Sequence, residues 1–245
     1  MTLWSLRPAG EHAALRRVAQ GAGFALRALP LQRLVMRHDA ARLALALAAP
    51  VRVYTSPAAV RFAAAQCGSG VIRDGIDIGV GSGTAAALRR AGVLEPRTPS
   101  RMDSEGVLAL PELQAIDGAV LGLITAPGGR GVLAPALAER GATLRVAEVY
   151  AREPMRGGAR RRAAFIADDT AVLLASSAEA FARLVAALPA PGTATGRRVR
   201  ARPVAVSSAR LAEQAGQAGF EHVVVAAGPT PAALVAAASR ASPLQ

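Results

Sequence analysis

Short β-branched runs alternate with amphipathic segments along the whole chain. Apolar runs at residues 3–6, 51–54, 76–80, 120–124, 172–174, 203–206 and 223–225 are bounded by turns of small polar residues. Most are nearly continuous, the pattern of parallel strands buried on both faces. Helical periodicity follows them. Ala14, Leu15, Val18 and Ala22 share one face, as do Val132, Leu133, Ala136 and Leu137. The alternation predicts an α/β fold with parallel sheets.

An internal repeat divides the chain. Arg7-Pro8 through the helix to Gly23, with the strand after it, is echoed by Pro127-Gly128-Gly129 through Gly141 and residues 144–149. The turn Tyr54-Thr55-Ser56-Pro57 is echoed by Leu174-Ala175-Ser176-Ser177, and 78–92 by 204–219. The segment 101–111 has a loose counterpart in 223–237. Two copies predict two similar flavodoxin- or Rossmann-like domains. Long extended stretches at 26–35 and 144–152 leave the first unit and its echo. If both are crossing strands, residues 1–33 and 153–245 form one discontinuous domain and 36–148 an inserted one. Strands at 29–36 and 144–153 then make a two-stranded β connector, a hinge that would let the domains open and close around a cleft.

Composition narrows the partners. The formal charge is +12, carried entirely by arginine because the sequence contains no lysine. That excess favours an anionic partner: nucleic acid, anionic membrane or a polyanionic small molecule. The single Cys67 excludes an internal disulfide and any multi-cysteine metal site. Arg7, Glu11, Arg16 and Arg17 interrupt the N-terminal segment, which lacks a signal-peptide core. The longest apolar stretch, 223–239, is broken by Gly228, Pro229 and Pro231. The chain therefore reads as a soluble, cytoplasmic protein.

In open parallel sheets, ligands bind beyond the carboxyl ends of the strands, where helices begin. Those turns here carry a recurring chemistry. Ser56 precedes Pro57 and Thr230 precedes Pro231, a capping hydroxyl followed by proline at the first helical position. Ser82, Thr84, Ser104, Ser176, Ser177 and Ser208 occupy comparable places, and Gly128 and Gly129 open a helix. Helix N-termini present unpaired N–H groups and partial positive charge, which suit carboxylates or phosphates. Taken singly, each is an ordinary cap; recurrence along one rim raises the binding reading.

Other chemistry is sparse. His12, His38 and His222 lack metal-ligand spacing, and neither a nucleophile elbow nor a Walker-type loop is present. One rival motif stands out. Gly81-Ser82-Gly83-Thr84-Ala85-Ala86 fits the dinucleotide fingerprint G-x-G-x-x-A, with Asp103 about 20 residues on. Two arginine clusters, Arg156 with Arg160-Arg161-Arg162 and Arg197-Arg198 with Arg200 and Arg202, read as solvated loops and helix ends. They lack interleaved aromatics for base stacking, and their field can steer a polyanionic small molecule.

Across nearly its whole length the pattern resembles the uroporphyrinogen-III synthase family. The resemblance runs from Arg7-Pro8 through 54–60 and 80–85 to the box Arg101-Met102-Asp103-Ser104-Glu105-Gly106-Val107-Leu108. It continues through Gly128-Gly129-Arg130, Val149-Tyr150, 174–177 and 208–212. Asp-Ser-Glu-Gly and Gly-Gly-Arg are its most specific elements. Two departures are Leu6, where a threonine often precedes Arg-Pro, and Ala175, in place of a hydroxyl residue. The resemblance implies closure of hydroxymethylbilane with loss of water and inversion of ring D, in tetrapyrrole (heme) biosynthesis. It implies no cofactor and no metal. Its partners would be this polycarboxylate substrate and the upstream bilane-forming enzyme that hands it over, with no nucleic acid, no membrane and a monomeric state.

By position, the resemblance makes Tyr150 the candidate catalytic residue, assisting loss of the hydroxyl or orienting ring D. It makes Thr55, Ser56, Ser82, Gly83, Thr84, Ser104, Glu105, Gly106, Gly128, Gly129, Ser176, Ser177 and Ser208 candidate substrate-binding residues, largely through backbone N–H. Arg7 and Arg130 would add charge. The alternatives at this stage are a nicotinamide-dinucleotide oxidoreductase and a non-catalytic two-lobed anion binder. Melting curves test the first of these. The resemblance predicts no shift with NAD or NADP, whereas a dinucleotide that stabilised the protein would favour the oxidoreductase.

Overall fold

The computed structural model describes residues 1–67, 74–128, 131–155 and 158–241. In chain order the elements begin β1 (Thr2–Ser5), α1 (Ala13–Gly21), β2 (Ala25–Ala28), β3 (Gln32–Met36), α2 (Ala40–Leu47), β4 (Val51–Tyr54) and α3 (Pro57–Cys67). Next come β5 (Ile76–Gly79), α4 (Ser82–Arg90), α5 (Ser104–Leu108), β6 (Val120–Thr125), α6 (Leu133–Glu139), β7 (Thr143–Glu148) and β8 (Tyr150–Pro154). The last are α7 (Ala159–Ala167), β9 (Ala171–Ala175), α8 (Ala178–Ala186), α9 (Ala194–Arg200), β10 (Val204–Val206), α10 (Ala209–Gln217), β11 (Val223–Val225) and α11 (Pro231–Ala241). The chain divides into two compact units, Met1–Leu34 with Glu153–Gln245, and Val35–Arg152.

The first unit holds a five-stranded sheet in the order β11-β10-β9-β1-β2, with every pair parallel. Its inner strands β1, β9 and β10 are buried on both faces. Trp4, Leu6, Leu173, Val204 and Val206 pack into one core with Phe165, Phe181 and Val199. Leu3, Val172, Leu174 and Ala205 face the other way, against Leu15, Leu234 and Ala238 of α1 and α11. Alternate residues of β1 and β9 thus feed two cores, which is why these runs show no polar alternation. Each such leucine contributes about 1.5–3 kcal/mol of burial.

The second unit holds a four-stranded parallel sheet in the order β5-β4-β6-β7. A further parallel bridge joins Ile78 to Arg97 beside β5. The two sheets follow one plan once the repeat is applied. Matching β6 to β1, β7 to β2, β4 to β9 and β5 to β10 makes their orders coincide, and the Arg97 bridge occupies the place of β11. Both therefore have the doubly wound, flavodoxin-like order, entered at different points of the chain. The fold class is as expected: α/β with two similar parallel sheets, one unit being discontinuous in sequence.

The stretches 26–35 and 144–152 each break into two strands. β2 and β7 stay in their own sheets, while β3 and β8 pair as a separate two-stranded sheet. Met155 donates to the Leu31 carbonyl at 2.9 Å and Arg37 to that of Val149 at 3.0 Å, so β3 and β8 run antiparallel. The last ladder bond of β2 runs from the Leu29 N–H to the Ser5 carbonyl at 2.9 Å, and Pro30 follows it.

A buried ion pair ties β4 to β5. Arg52 and Asp77 are cross-strand partners, joined by Nε to Oδ1 at 2.7 Å and Nη2 to Oδ2 at 2.9 Å, with side chains 1% and 3% exposed. Arg52 Nη1 also donates to the carbonyls of Ala49 and Asp74. The carboxylate raises the Arg52 guanidinium above its ordinary range, against the opposing pull of burial. Removing one partner strands the other charge in the core. Asp77→Ala is expected to cost about 3–5 kcal/mol in urea unfolding, far more than deleting an exposed pair such as Arg33–Glu153.

Candidate functional site

Parallel strands bring the strand-to-helix turns of a unit to the carboxyl edge of its sheet. In a doubly wound sheet the crevice opens where successive connections leave in opposite directions. In the second unit that junction lies between β4 and β6, and in the first between β1 and β9.

At the β4–β6 junction the ladder continues past the strands, with Thr55 N–H donating to the Ile124 carbonyl at 3.1 Å. The Thr55 hydroxyl donates to that of Thr125 at 2.9 Å, pinning the two strand ends together. Ser56 caps α3, its Oγ accepting the Ala59 N–H at 3.0 Å. The same oxygen lies 3.0 Å from the Tyr150 phenol oxygen. Tyr150 opens β8 and is 2% exposed. Phe62 of α3 stacks on its ring, centroids 5.3 Å apart at 17°. Gln66, one turn further along α3, reaches the Val149 carbonyl at 3.4 Å. α3 and its capping Ser56 therefore hold the start of β8 through three contacts.

Arg152 completes this group and escapes a reading by turns and motifs. Its guanidinium carbon lies 5.6 Å from the Tyr150 ring centroid, and Nη2 is 3.4 Å from the phenol oxygen. The available signal was periodicity: residues two apart on a strand share a face.

Neighbouring turns differ in what they leave unpaired. α4 is capped by Gly81, which offers no side-chain bond; its carbonyl accepts from Thr84 and Ala85 at 2.9 and 3.0 Å. The N–H groups of Ser82 and Gly83, both exposed, head the helix without a side-chain cap. Thr84 and Ser104 are buried, 4% exposed each, and the Thr84 N–H is taken by the Gly81 carbonyl. Asp103 rather than Ser104 caps α5, accepting the Gly106 N–H at 2.8 Å. A Cβ at Gly106 would lie 1.8 Å from the Arg101 carbonyl oxygen, which requires glycine there. Glu105 is exposed and pairs with Arg101 at 3.4 Å. The Asp-Ser-Glu-Gly box is thus a capped, tightly turned helix start. Gly128 follows β6 with φ +66, a conformation that favours glycine. Gly129 and Arg130 lie outside the described residues.

In the first unit, Arg7 leaves β1 and its Nη2 donates to the Pro229 carbonyl at 2.7 Å, clamping the turn before α11. Its Nε is buried without a partner among the described residues. Ser177 and Ser208 cap α8 and α10, accepting N–H from Ala180 and Leu211 at 3.3 and 3.4 Å. Ser176 sits beside Ser177, half-buried at the end of β9. Of the arginine clusters, Arg200 and Arg202 depart from the solvated reading. They are 4% and 6% exposed and donate to backbone carbonyls, Arg200 to Ala218 and Pro189, Arg202 to Phe165 and Ile166. Arg156 lies outside the described residues.

The chain matches the family model described as uroporphyrinogen-III synthase HemD over residues 13–236. It belongs to the uroporphyrinogen-III synthase family. The fold agrees: a mutant uroporphyrinogen III synthase from the extremely thermophilic bacterium Thermus thermophilus aligns with TM-score 0.62 at 21% identity, covering 98% of each chain. Uroporphyrinogen-III synthetase from Helicobacter pylori 26695 aligns with TM-score 0.59 at 10% identity, covering 98% of this chain and 99% of that one. No curated protein sequence matches this one. Membership assigns the activity, cyclisation of hydroxymethylbilane in heme biosynthesis, a lyase-type reaction.

The dinucleotide motif finds no such support. Its turn follows β5, which lies to one side of the β4–β6 junction, and Asp103 is engaged as the α5 cap. Among the described residues no helix is long and apolar enough to cross a membrane, and no group of three or more His, Cys, Asp or Glu is placed to hold a metal ion.

His12 introduces a pH dependence near the first unit's rim. It is 7% exposed, with Nε2 3.3 Å from the Ser5 carbonyl. Burial pushes it below its ordinary value of 6.5; the Ser5 carbonyl opposes this, and Arg7 and Arg16 reinforce it. The folded protein therefore binds fewer protons than the unfolded chain once pH falls below 6.5. Stability from this group is fully present above that pH and is lost as pH drops toward the depressed folded value. Melting temperatures between about pH 7 and pH 5 should fall, and His12→Asn should flatten part of that slope.

Proposed function

We propose that the β4–β6 junction is where the second unit engages the hydroxymethyl end of hydroxymethylbilane, with Tyr150 and Ser56 supplying the proton that turns the departing hydroxyl into water. Family membership over residues 13–236 is the observation that carries the activity. The 3.0 Å Ser56–Tyr150 contact, at the strand junction where such sheets bind ligands, supports this location. In the step envisaged, the C–O bond breaks with its electron pair on oxygen, and the oxygen takes a proton from the hydroxyl pair. The azafulvenium-like cation left behind is attacked by the substituted α carbon of ring D, giving a spiro intermediate. The bond from that carbon to its original bridge then breaks, its electron pair restoring the ring D pyrrole. The free α carbon of ring D attacks the bridging cation so formed, which inverts the ring. The proton returns to the hydroxyl pair when the closed macrocycle sheds one from carbon. Water is the sole by-product.

Carboxylate binding falls to the N–H groups of the exposed Ser82 and Gly83, to Gly128, Gly129 and Arg130, and, in the first unit, to Arg7 with Ser176, Ser177 and Ser208. Backbone donors at helix starts suit acetate and propionate groups, which present charge without a fixed shape. The +12 charge draws the polycarboxylate in. Catalysis on this reading is chiefly positional: the bilane is held folded so that the spontaneous closure is outrun. Residues 1–33 with 153–245 act as one domain and 36–148 as another, and the protein works as a cytoplasmic monomer that receives bilane from the enzyme that makes it.

The test is to supply freshly generated hydroxymethylbilane and resolve the uroporphyrin isomers after oxidation. Excess isomer III over the protein-free control is expected; isomer I alone from folded protein would sink the reading. Tyr150→Phe keeps the ring stack and removes the hydroxyl, so isomer III formation should fall about tenfold, the cost of one hydrogen bond worth about 1.4 kcal/mol. Undiminished rate in that variant would remove Tyr150 from the mechanism.

A further inference from the structure

The Ser56–Tyr150 contact has two possible directions, and the choice decides which hydroxyl faces outward. At 3.0 Å either oxygen can be the donor. Arg152 breaks the symmetry. We propose that Arg152 is a positioning residue that directs this hydrogen-bond chain, by occupying the acceptor side of the Tyr150 phenol and so pointing its hydrogen at Ser56. The inference rests on the proposed role of this hydroxyl pair.

Three observations converge. Arg152 Nη2 can only donate, and it lies 3.4 Å from the phenol oxygen, with the guanidinium over the ring at 5.6 Å. Ser56 Oγ already accepts the Ala59 N–H at 3.0 Å. Tyr150 is 2% exposed, whereas Ser56 is half-buried at the strand end. With the guanidinium on the phenol oxygen, the phenol hydrogen goes to Ser56. Ser56 then accepts two hydrogen bonds, and its own hydrogen is left to donate outward. The buried phenol thereby acts through an accessible hydroxyl. When Ser56 gives its proton to the departing oxygen, Tyr150 refills it, and Arg152 faces the negative charge left on the phenol oxygen. At 3.4 Å the contact acts more through charge than through hydrogen-bond geometry.

The neighbouring groups agree with this direction. Phe62 supplies the stacking surface but no polar atom, and Gln66 is turned to the Val149 carbonyl. Arg152 is itself exposed and forms no ion pair with a carboxylate among the described residues, so no carboxylate competes with the phenol for its guanidinium.

A double-mutant cycle tests this, with kcat and KM measured for isomer III formation from hydroxymethylbilane. Arg152→Ala should lower kcat about tenfold with KM little changed, and Arg152→Lys, which keeps a cationic donor, should recover most of the rate. In a Tyr150→Phe background, Arg152→Ala should produce no further loss, because the oxygen it acts on is gone. Melting curves confirm that each variant is folded. An equal loss in both backgrounds, a rise in KM with unchanged kcat, or no effect of Arg152→Ala would each overturn the proposal. Wild-type protein giving only isomer I would instead refute the functional reading, an outcome visible before any variant is compared.

Discussion

The adjacency of two strands distant in sequence, β4 beside β6 in one unit and β1 beside β9 in the other, is the constraint on which the remaining structure depends. Each pairing sets the point where the winding direction reverses. It therefore decides which turns face each other at the carboxyl edge. Thr55 meets Thr125 because Tyr54 is in register with Ile124, and Ser56 stands beside Tyr150 because β7 follows β6 on the same side. The hydroxyl pair is a consequence of strand order rather than of any local motif.

Around these junctions the two units solve one packing problem differently. In the first, small and medium apolar side chains fill both faces of the sheet, with Trp4 against Phe165 and Phe181 against Phe220 among its few aromatic contacts. In the second, an ion pair replaces part of that packing. Arg52 and Asp77 satisfy each other and the adjoining carbonyls, so the charge is tolerated at a buried position. Burial also raises the Tyr54 phenol well above its ordinary range and keeps it neutral. The two tyrosines thus have opposed settings: Tyr54 faces the interior of its unit, whereas Tyr150 connects through Ser56 to the rim.

Arginine serves several ends in a chain without lysine. Arg140, Arg200 and Arg202 have planar donor forks turned onto backbone carbonyls, where they act as internal braces. Such arginines add to the net charge but not to a surface that meets substrate. The basic residues relevant to chemistry are fewer than composition suggests. Arg7 follows the end of β1 and Arg152 sits in the middle of β8, beside Tyr150.

Much of this protein is written locally. The fold class, the repeat and the capping hydroxyls of Ser56, Ser177 and Ser208 follow from apolar periodicity and turn chemistry, which neighbouring residues specify among themselves. What local pattern left open was decided by strand order and register. Ser104 reads as a cap, yet Asp103 takes that role and Ser104 is buried. Arg200 and Arg202 read as solvated, yet they close carbonyls in the interior. Arg152 carries no motif, and it comes onto the face of Tyr150 only because residues 150–154 form a strand, where side chains two apart share a face. A side chain's partner across a sheet lies tens of residues away in sequence, and contacts at that separation are set by the packing of the whole unit rather than by any window of the chain.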